Sequence, residues 1–113
     1  MNQYIRASFH FLIPVMSQKS LVLRFLQTLP TGKVTTYKAL AEKFSTHPRA
    51  IATYMRTNKE LDTYPCYKVV ANDGWLNGYV LGLEEKQLRL ENDGVGIVEW
   101  KVEEEYILRD FIS

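Results

Sequence analysis

The chain holds one cysteine, Cys66, and its neighbours make it the residue to read first. Pro65 fixes its own φ and drives Tyr64 toward an extended conformation, so Cys66 follows a stiff, non-helical approach. Tyr67-Lys68-Val69-Val70 has strand propensity, Asn72-Asp73-Gly74 signals a turn, and Trp75-Leu76 resumes an extended pattern before Asn77-Gly78 turns again. A lone thiol at the start of a rigid hairpin is a nucleophile candidate. On the cysteine alone, a small buried hydrophobe is the favoured reading, and its neighbours must decide.

The elements that must position it are legible upstream. Residues 17–29 read as a helix, with Ser17 as N-cap and Leu21, Phe25, Leu26 and Leu29 as its apolar stripe. Pro30-Thr31-Gly32 stops it. Thr36 caps a second helix over residues 37–44, with Leu40, Ala41 and Phe44 inward. Ser45-Thr46-His47 makes a turn, and Pro48 suits the first turn of a third helix that runs to about residue 57. Two short helices joined by a tight polar turn form a helix-turn-helix pattern. Ala50 and Ala52 keep the third helix slim, so a groove wall can approach, and Arg49 and Arg56 lie two turns apart on one face. Beyond Cys66, residues 83–92 read as a helix with Leu83, Gln87, Leu88 and Leu90 near one face, and Gly94 ends it. Residues 95–100 and 105–108 read as two strands joined by an acidic turn. Residues 4–12 alternate loosely (Ile5, Ala7, Phe9, Phe11) as an edge strand or arm that Pro14 ends.

Composition narrows the classes. A chain of 113 residues is one domain that can bury a core unaided. One cysteine excludes an internal disulfide and any CxxC metal site, and suits a reducing interior. His10 and His47 are far apart and read as surface residues, so no metal is expected. No apolar run approaches the ~20 residues of a membrane span. Residues 1–16 lack a signal-peptide pattern, so a cytoplasmic or nuclear location and no membrane partner are expected. The net charge of +1 conceals an asymmetry. Residues 33–68 carry seven Lys/Arg against three acids, and residues 84–110 carry four against nine. One basic face is compatible with nucleic acid.

Pro65-Cys66-Tyr67-Lys68-Val69-Val70 resembles the Pro-Cys-His-Arg-Val-Val/Ile signature of O6-alkylguanine-DNA alkyltransferases. Gly74-x-Leu76-x-Gly78-Tyr79-x-x-Gly82-Leu83-x-x-Lys86 is similar to the loop and helix start that close that family's pocket. Upstream, Gly32-Lys33-Val34-Thr35-Thr36-Tyr37, Pro48-Arg49-Ala50 and Met55-Arg56-x-Asn58 keep the family's order. The resemblance covers roughly residues 17–94. It implies an α+β, mainly α fold: a winged-helix-like helix-turn-helix domain with a short hairpin carrying the nucleophile. The organisation expected is an arm over residues 1–16, the domain over 17–95 and a C-terminal hairpin or tail over 96–113.

The resemblance also implies a function: a monomer without cofactor, acting once on double-stranded DNA that contains O6-alkylguanine. Cys66 is then the nucleophile and permanent acceptor, Asn58 braces the turn beneath it, and Tyr79 assists departure of guanine. Tyr37 crowds the target phosphate, and Arg49 fills the gap left by the flipped nucleotide. Lys38, Ala50, Arg56 and Asn72 complete the DNA-facing set. Met55, Val69, Tyr79 and Val80 line the pocket, where the backbone of Cys66 and Val69 binds the guanine edge.

The chain departs from the pattern at Tyr67, which stands where the family has histidine, and at Asp93, which holds the carboxylate position of the proton relay. Lys68 replaces arginine, and Val80-Leu81 replaces a smaller, more polar pair. A phenol is a poor base near neutrality, and an unassisted thiol of pKa ~8.5 is only ~3% ionised at pH 7. Transfer is therefore expected to be slow and to rise with pH. Two other classes stay in view. An alkyltransferase-like lesion sensor flips and holds the base without transfer, but usually carries tryptophan or alanine in place of Cys66. A winged-helix transcription regulator explains the helices but not the Pro65-Cys66, Gly78-Tyr79 and Asn58 positions.

Overall fold

The computed structural model describes residues 16–111, and the arm read over residues 4–12 lies outside the described residues. The first helix, α1 (Gln18–Leu26), starts where the sequence places it, with the Ser17 hydroxyl accepting from the Ser20 N–H at 3.1 Å. Its inner stripe is turned by one residue from the expected one. Val22, Leu23 and Leu26 are buried, while Leu21 is 46% exposed. The helix also closes at Leu26, because residues 27–29 bond three residues back and tighten into a turn.

Strand β1 (Val34–Thr36) follows the Pro30-Thr31-Gly32 turn and is buried throughout. It is the centre of a three-stranded parallel sheet. On one side Thr35 and Thr36 pair with Val69 and Val70 of β2 (Val69–Val70), and on the other Val34 and Thr35 pair with Ile107 and Leu108 of β5 (Ile107–Leu108). The sequence pattern did not isolate β1, since three residues buried on both faces show no alternation.

Thr36 leaves the strand and caps α2 (Tyr37–Lys43), accepting from the Ala39 N–H at 3.0 Å. Ser45 takes a positive φ of 52° to turn the chain, and Pro48 opens α3 (Pro48–Arg56). The pair α2–α3 is the expected helix-turn-helix. Gln18 ties it to α1: its side-chain amide donates to the Phe44 carbonyl at 3.0 Å and accepts from the Tyr54 hydroxyl at 2.8 Å. One core cluster lies among these helices and includes Leu26, Leu40, Ile51, Met55, Cys66 and Val69. A second, with Val34, Val70, Leu76, Leu90, Val95 and Val102, lies across the sheet from it, under α4 (Leu83–Asn92) and the C-terminal segments.

Three expectations change here. Cys66 does not begin a strand: it opens a single 3-10 turn, Cys66–Lys68, and the strand that follows is only two residues long. That strand pairs in parallel with β1, so Cys66 is carried by a turn at a sheet edge and not by a hairpin of residues 67–76. Trp75 bridges instead to Lys101. The inner face of α4 is made by Lys86 and Leu90, with Leu88 51% exposed. The two C-terminal strands do not pair with one another. Residues 97–102 fold back on themselves as β3 (Ile97–Val98) and β4 (Lys101–Val102), with Glu99 and Trp100 both at positive φ as a two-residue hairpin turn needs. Residues 107–108 then join the sheet as β5.

Gly74 is where this C-terminal hairpin meets the loop after β2. Its φ is +93°, and a Cβ there would sit 2.6 Å from the Val102 carbonyl oxygen. Gly74→Ala is expected to destabilise the fold by about 2 kcal/mol or more, read from urea unfolding, because both strain and a backbone clash oppose the methyl.

Candidate active site

Cys66 is held by a short network that begins at Asn58. This buried side chain donates its amide to the Tyr64 carbonyl at 3.0 Å and accepts from the Glu60 N–H at 2.9 Å. The Cys66 N–H donates to the same Tyr64 carbonyl at 2.7 Å, across Pro65. Asn58, expected to brace the turn beneath the cysteine, grips the carbonyl two residues before it. Burial pushes the Cys66 thiol up from its ordinary range, while a hydrogen bond from Asn58, the Lys86 ammonium and, last, Arg89 pull it down.

Lys86 is fully buried, and sequence reasoning quoted it only as part of a motif. Its ammonium donates to three carbonyls: Val69 at 2.7 Å, Leu76, and Gly78 at 3.2 Å. Three N–H groups therefore meet three acceptors, one on the strand after the cysteine and two on the loop above it. Burial pulls this ammonium down to about 7, and ionised Cys66 pushes it back up. The signal available in sequence was its spacing, since Leu83, Lys86 and Leu90 fall on one helical face.

Above Cys66 opens a cleft of about 550 Å³ whose walls include Tyr37, Met55, Arg56, Cys66, Tyr79 and Val80. Met55, Tyr79 and Val80 stand where the pocket was expected. Val69 does not line it: its side chain is buried in the core, and its carbonyl already accepts from Lys86. Arg56, expected to face DNA, reaches the cleft wall. The Tyr79 hydroxyl is buried and has no hydrogen-bond partner among the described residues. Its phenol is raised by burial and lowered by Arg89. Tyr37 stands at the rim with its phenol pushed up to about 12 by burial and by Cys66, against a hydrogen bond from Asn77. Asn77, with φ 63°, borders both this cleft and the groove outside it, and was read only as a turn residue.

Tyr67 and Asp93, which stand at the histidine and carboxylate positions, lie near one another without a direct hydrogen bond among the described residues. Tyr67 is half-buried, its phenol raised first by burial and then by the Asp93 charge. The Asp93 carboxylate is occupied elsewhere, 3.0 Å from Lys68 Nζ and accepting from the Gly32 N–H at 2.9 Å. Lys68 also donates to the Pro30 carbonyl at 2.9 Å. Asp93 and Lys68 together fasten the end of α4 to the turn before β1. Among the described residues Asp93 makes no hydrogen bond to Tyr67 or Cys66.

Beside the cleft, Tyr37, Lys38, Arg49, Ala52, Asn72 and Asn77 border a second, open groove of about 390 Å³ along α3. Four residues expected to face DNA thus share one surface. Arg49 is exposed at the start of α3, where its own N–H donates to His47 Nδ1 at 3.1 Å. Ala50 is half-buried on the same helix and does not border the groove. Asn72 is held from behind by Arg109, which donates to its side-chain and main-chain oxygens at 2.8 and 2.7 Å. Among the described residues no group of His, Cys, Asp and Glu could hold a metal ion, and no helix is long and apolar enough to cross a membrane.

Comparison with known proteins places these features in a family. Residues 17–95 match the family model described as 6-O-methylguanine DNA methyltransferase, DNA binding domain. A bifunctional methyltransferase/endonuclease of Picrophilus torridus is 41% identical over 80 residues, covering 69% of this chain and 27% of the relative. A methylated-DNA–protein-cysteine methyltransferase of Saccharolobus solfataricus is 38% identical over 78 residues, covering 69% of this chain and 51% of the relative. The chain thus spans about half or less of the length of these curated relatives. Among solved structures, the O6-methylguanine-DNA methyltransferase of Pyrococcus kodakaraensis is similar with a TM-score of 0.66 and 38% identity, over 72% of this chain and 48% of that one. S. pombe Atl1, in complex with damaged DNA containing O6-carboxymethylguanine, shares the fold with a TM-score of 0.75 at 21% identity, over 87% of this chain and 100% of that one.

Proposed function

The chain belongs to the 6-O-methylguanine DNA methyltransferase family through its DNA-binding domain, and from that membership we propose that it repairs DNA by moving an alkyl group from guanine O6 onto Cys66. The observation that carries this reading is the shared cleft: a buried cysteine on its floor and an unpartnered tyrosine hydroxyl in its wall. Duplex DNA lies along α3, and the damaged nucleotide rotates past Tyr37 into the cleft while Arg49 fills the space it leaves. The Cys66 thiolate attacks the alkyl carbon, the carbon–O6 bond breaks, and the Tyr79 hydroxyl gives its proton to the departing guanine. Cys66 ends as a thioether, so each monomer acts once, and the chemistry uses no cofactor. The fold shared with Atl1 along that protein's whole length supports a second reading, a sensor that binds the lesion without transfer. Cys66→Ser separates the two: under transfer the wild type removes up to one equivalent of O6-methylguanine from a duplex, while the variant binds it and removes none. A wild type that binds and removes none supports the sensor.

Contact with DNA is mostly to its backbone, so affinity falls steeply as salt rises. Arg49→Ala is expected to slow transfer from duplex DNA by roughly tenfold or more and to leave a single-stranded or free-base substrate within about threefold, since only a duplex has a stack to fill. Equal losses on both substrates, measured by single-turnover assay, would reduce Arg49 to a phosphate contact.

A further inference from the structure

We propose that Arg89 is a positioning residue for this reaction: it fixes the Tyr79 ring and stabilises the negative charge left on Tyr79 when its proton passes to guanine. This rests on the function proposed above. The Arg89 guanidinium carbon lies 5.9 Å from the centroid of the Tyr79 ring. Its Nε donates to Glu85 Oε2 at 2.8 Å, one turn earlier on α4, and its Nη1 lies 3.6 Å from Asp62 Oδ1 in the loop that leads to Cys66. One side chain therefore joins the helix, the loop before the nucleophile and the aromatic wall of the cleft. The hydrogen bond to Glu85 fixes one edge of the guanidinium, and the attraction of exposed Asp62 draws it over the loop side, which keeps it beside the Tyr79 ring.

The chemistry gives that contact a purpose. As the sulfur–carbon bond forms and the carbon–O6 bond breaks, the electron pair of the broken bond passes to guanine. The Tyr79 O–H proton neutralises it, which leaves a phenolate that solvent reprotonates after the base departs. That phenolate is born in a buried position with no hydrogen-bond partner among the described residues. The titratable and charged groups that act on Tyr79 are Arg89 and Glu85 from α4 and Cys66 and Tyr67 from the cysteine turn, and Tyr37 and Arg56 share the cleft wall with it. Cys66 becomes neutral as transfer proceeds, Lys86 commits its N–H groups to carbonyls, and Arg89 is the cation beside the ring. Its attraction for Tyr79 therefore grows as the proton leaves, which is the condition for lowering a barrier.

The test compares two reactions of the same thiol in the full chain. Methyl transfer from O6-methylguanine duplex needs a proton for its leaving group, whereas alkylation of Cys66 by iodoacetamide releases iodide and needs none. Arg89→Leu is expected to slow methyl transfer roughly tenfold and to leave the iodoacetamide rate within about twofold. Arg89→Lys, which keeps the charge, restores most of the transfer rate, and the iodoacetamide rate reports that each variant is folded around Cys66. Equal slowing of both reactions overturns the inference, because Arg89 would then act through the thiol or the fold. Unchanged transfer in Arg89→Leu overturns it and leaves the proposed function standing. A wild-type chain that reacts with iodoacetamide but takes no methyl overturns both.

Discussion

Lys86→Met is expected to abolish measurable transfer and to lower folding stability by about 3 kcal/mol or more. The buried carbonyls of Val69 and Leu76 and the more exposed one of Gly78 lose their donor at once, and each unsatisfied buried group costs about 1–3 kcal/mol. The apolar stem of methionine fills much of the lysine volume, so the loss reports the hydrogen-bonding nitrogen and not a cavity. Without it nothing joins the Val69 carbonyl to those of Leu76 and Gly78, and the loop that roofs the cleft is freed from the strand after Cys66. Lys86→Arg is not expected to rescue, because a planar fork cannot meet three carbonyls arranged around one nitrogen. The pH dependence is a further signature. Lys86 falls from 10.5 to about 7 on folding, so between those values the unfolded chain binds the proton that the folded chain releases. Its contribution to stability therefore rises with pH across that window, and is least below 7. Urea unfolding at several pH values should show this slope in the wild type and its loss in Lys86→Met. Wild-type stability in the variant would mean that the three hydrogen bonds carry no weight.

The second large effect lies in the pH dependence of transfer. Burial raises the Cys66 thiol, and Tyr67, itself raised, offers no base near neutrality. The rate should therefore climb with pH from 6 to beyond the ordinary thiol value of ~8.5 instead of levelling off near 7. Tyr67→His supplies a group that titrates near 6.5, with the Asp93 charge close enough to favour its protonated form. It is expected to raise the rate at pH 7 by about 30-fold or more, since full ionisation of an ordinary thiol of pKa ~8.5 would supply ~30-fold and burial raises Cys66 further. Tyr67→Phe should be nearly silent. Asp93→Asn should cost stability through the Lys68 ion pair and leave the shape of the pH profile unchanged. A flat profile from 6 to 9, together with a dead Tyr67→Phe, would show that the tyrosine is itself a working relay.

How far the sequence was legible depends on which forces place each residue. The caps Ser17 and Thr36 and the turn before Pro48 act locally, and all were readable. The Asn58 position came from the resemblance, and its hydrogen bonds reach residues within six positions of it. The strands were hard to read, because elements of two or three residues such as β1 and β2 have no periodicity of their own and exist through pairing with distant partners. Glu99-Trp100 lacks the Asn-Gly type of signal that marks a two-residue hairpin. In the site, Lys86 is marked in sequence by its spacing alone, and the carbonyls that draw it in come together only in the fold. Asp93 was read as a relay member because of its position beside Gly94, yet Lys68, substituted for arginine, occupies it. Arg89 carried no sequence signal, since its meaning depends on Glu85, Asp62 and Tyr79 meeting in space.

The central claim is that Cys66 takes the alkyl group and keeps it. Intact-mass measurement after prolonged incubation with excess O6-methylguanine duplex tests this most directly. The account predicts a gain of about 14 mass units per chain, saturating at one methyl, mapped by peptide analysis to Cys66 and missing in Cys66→Ser. An unchanged mass in a chain that still binds the lesion would contradict it.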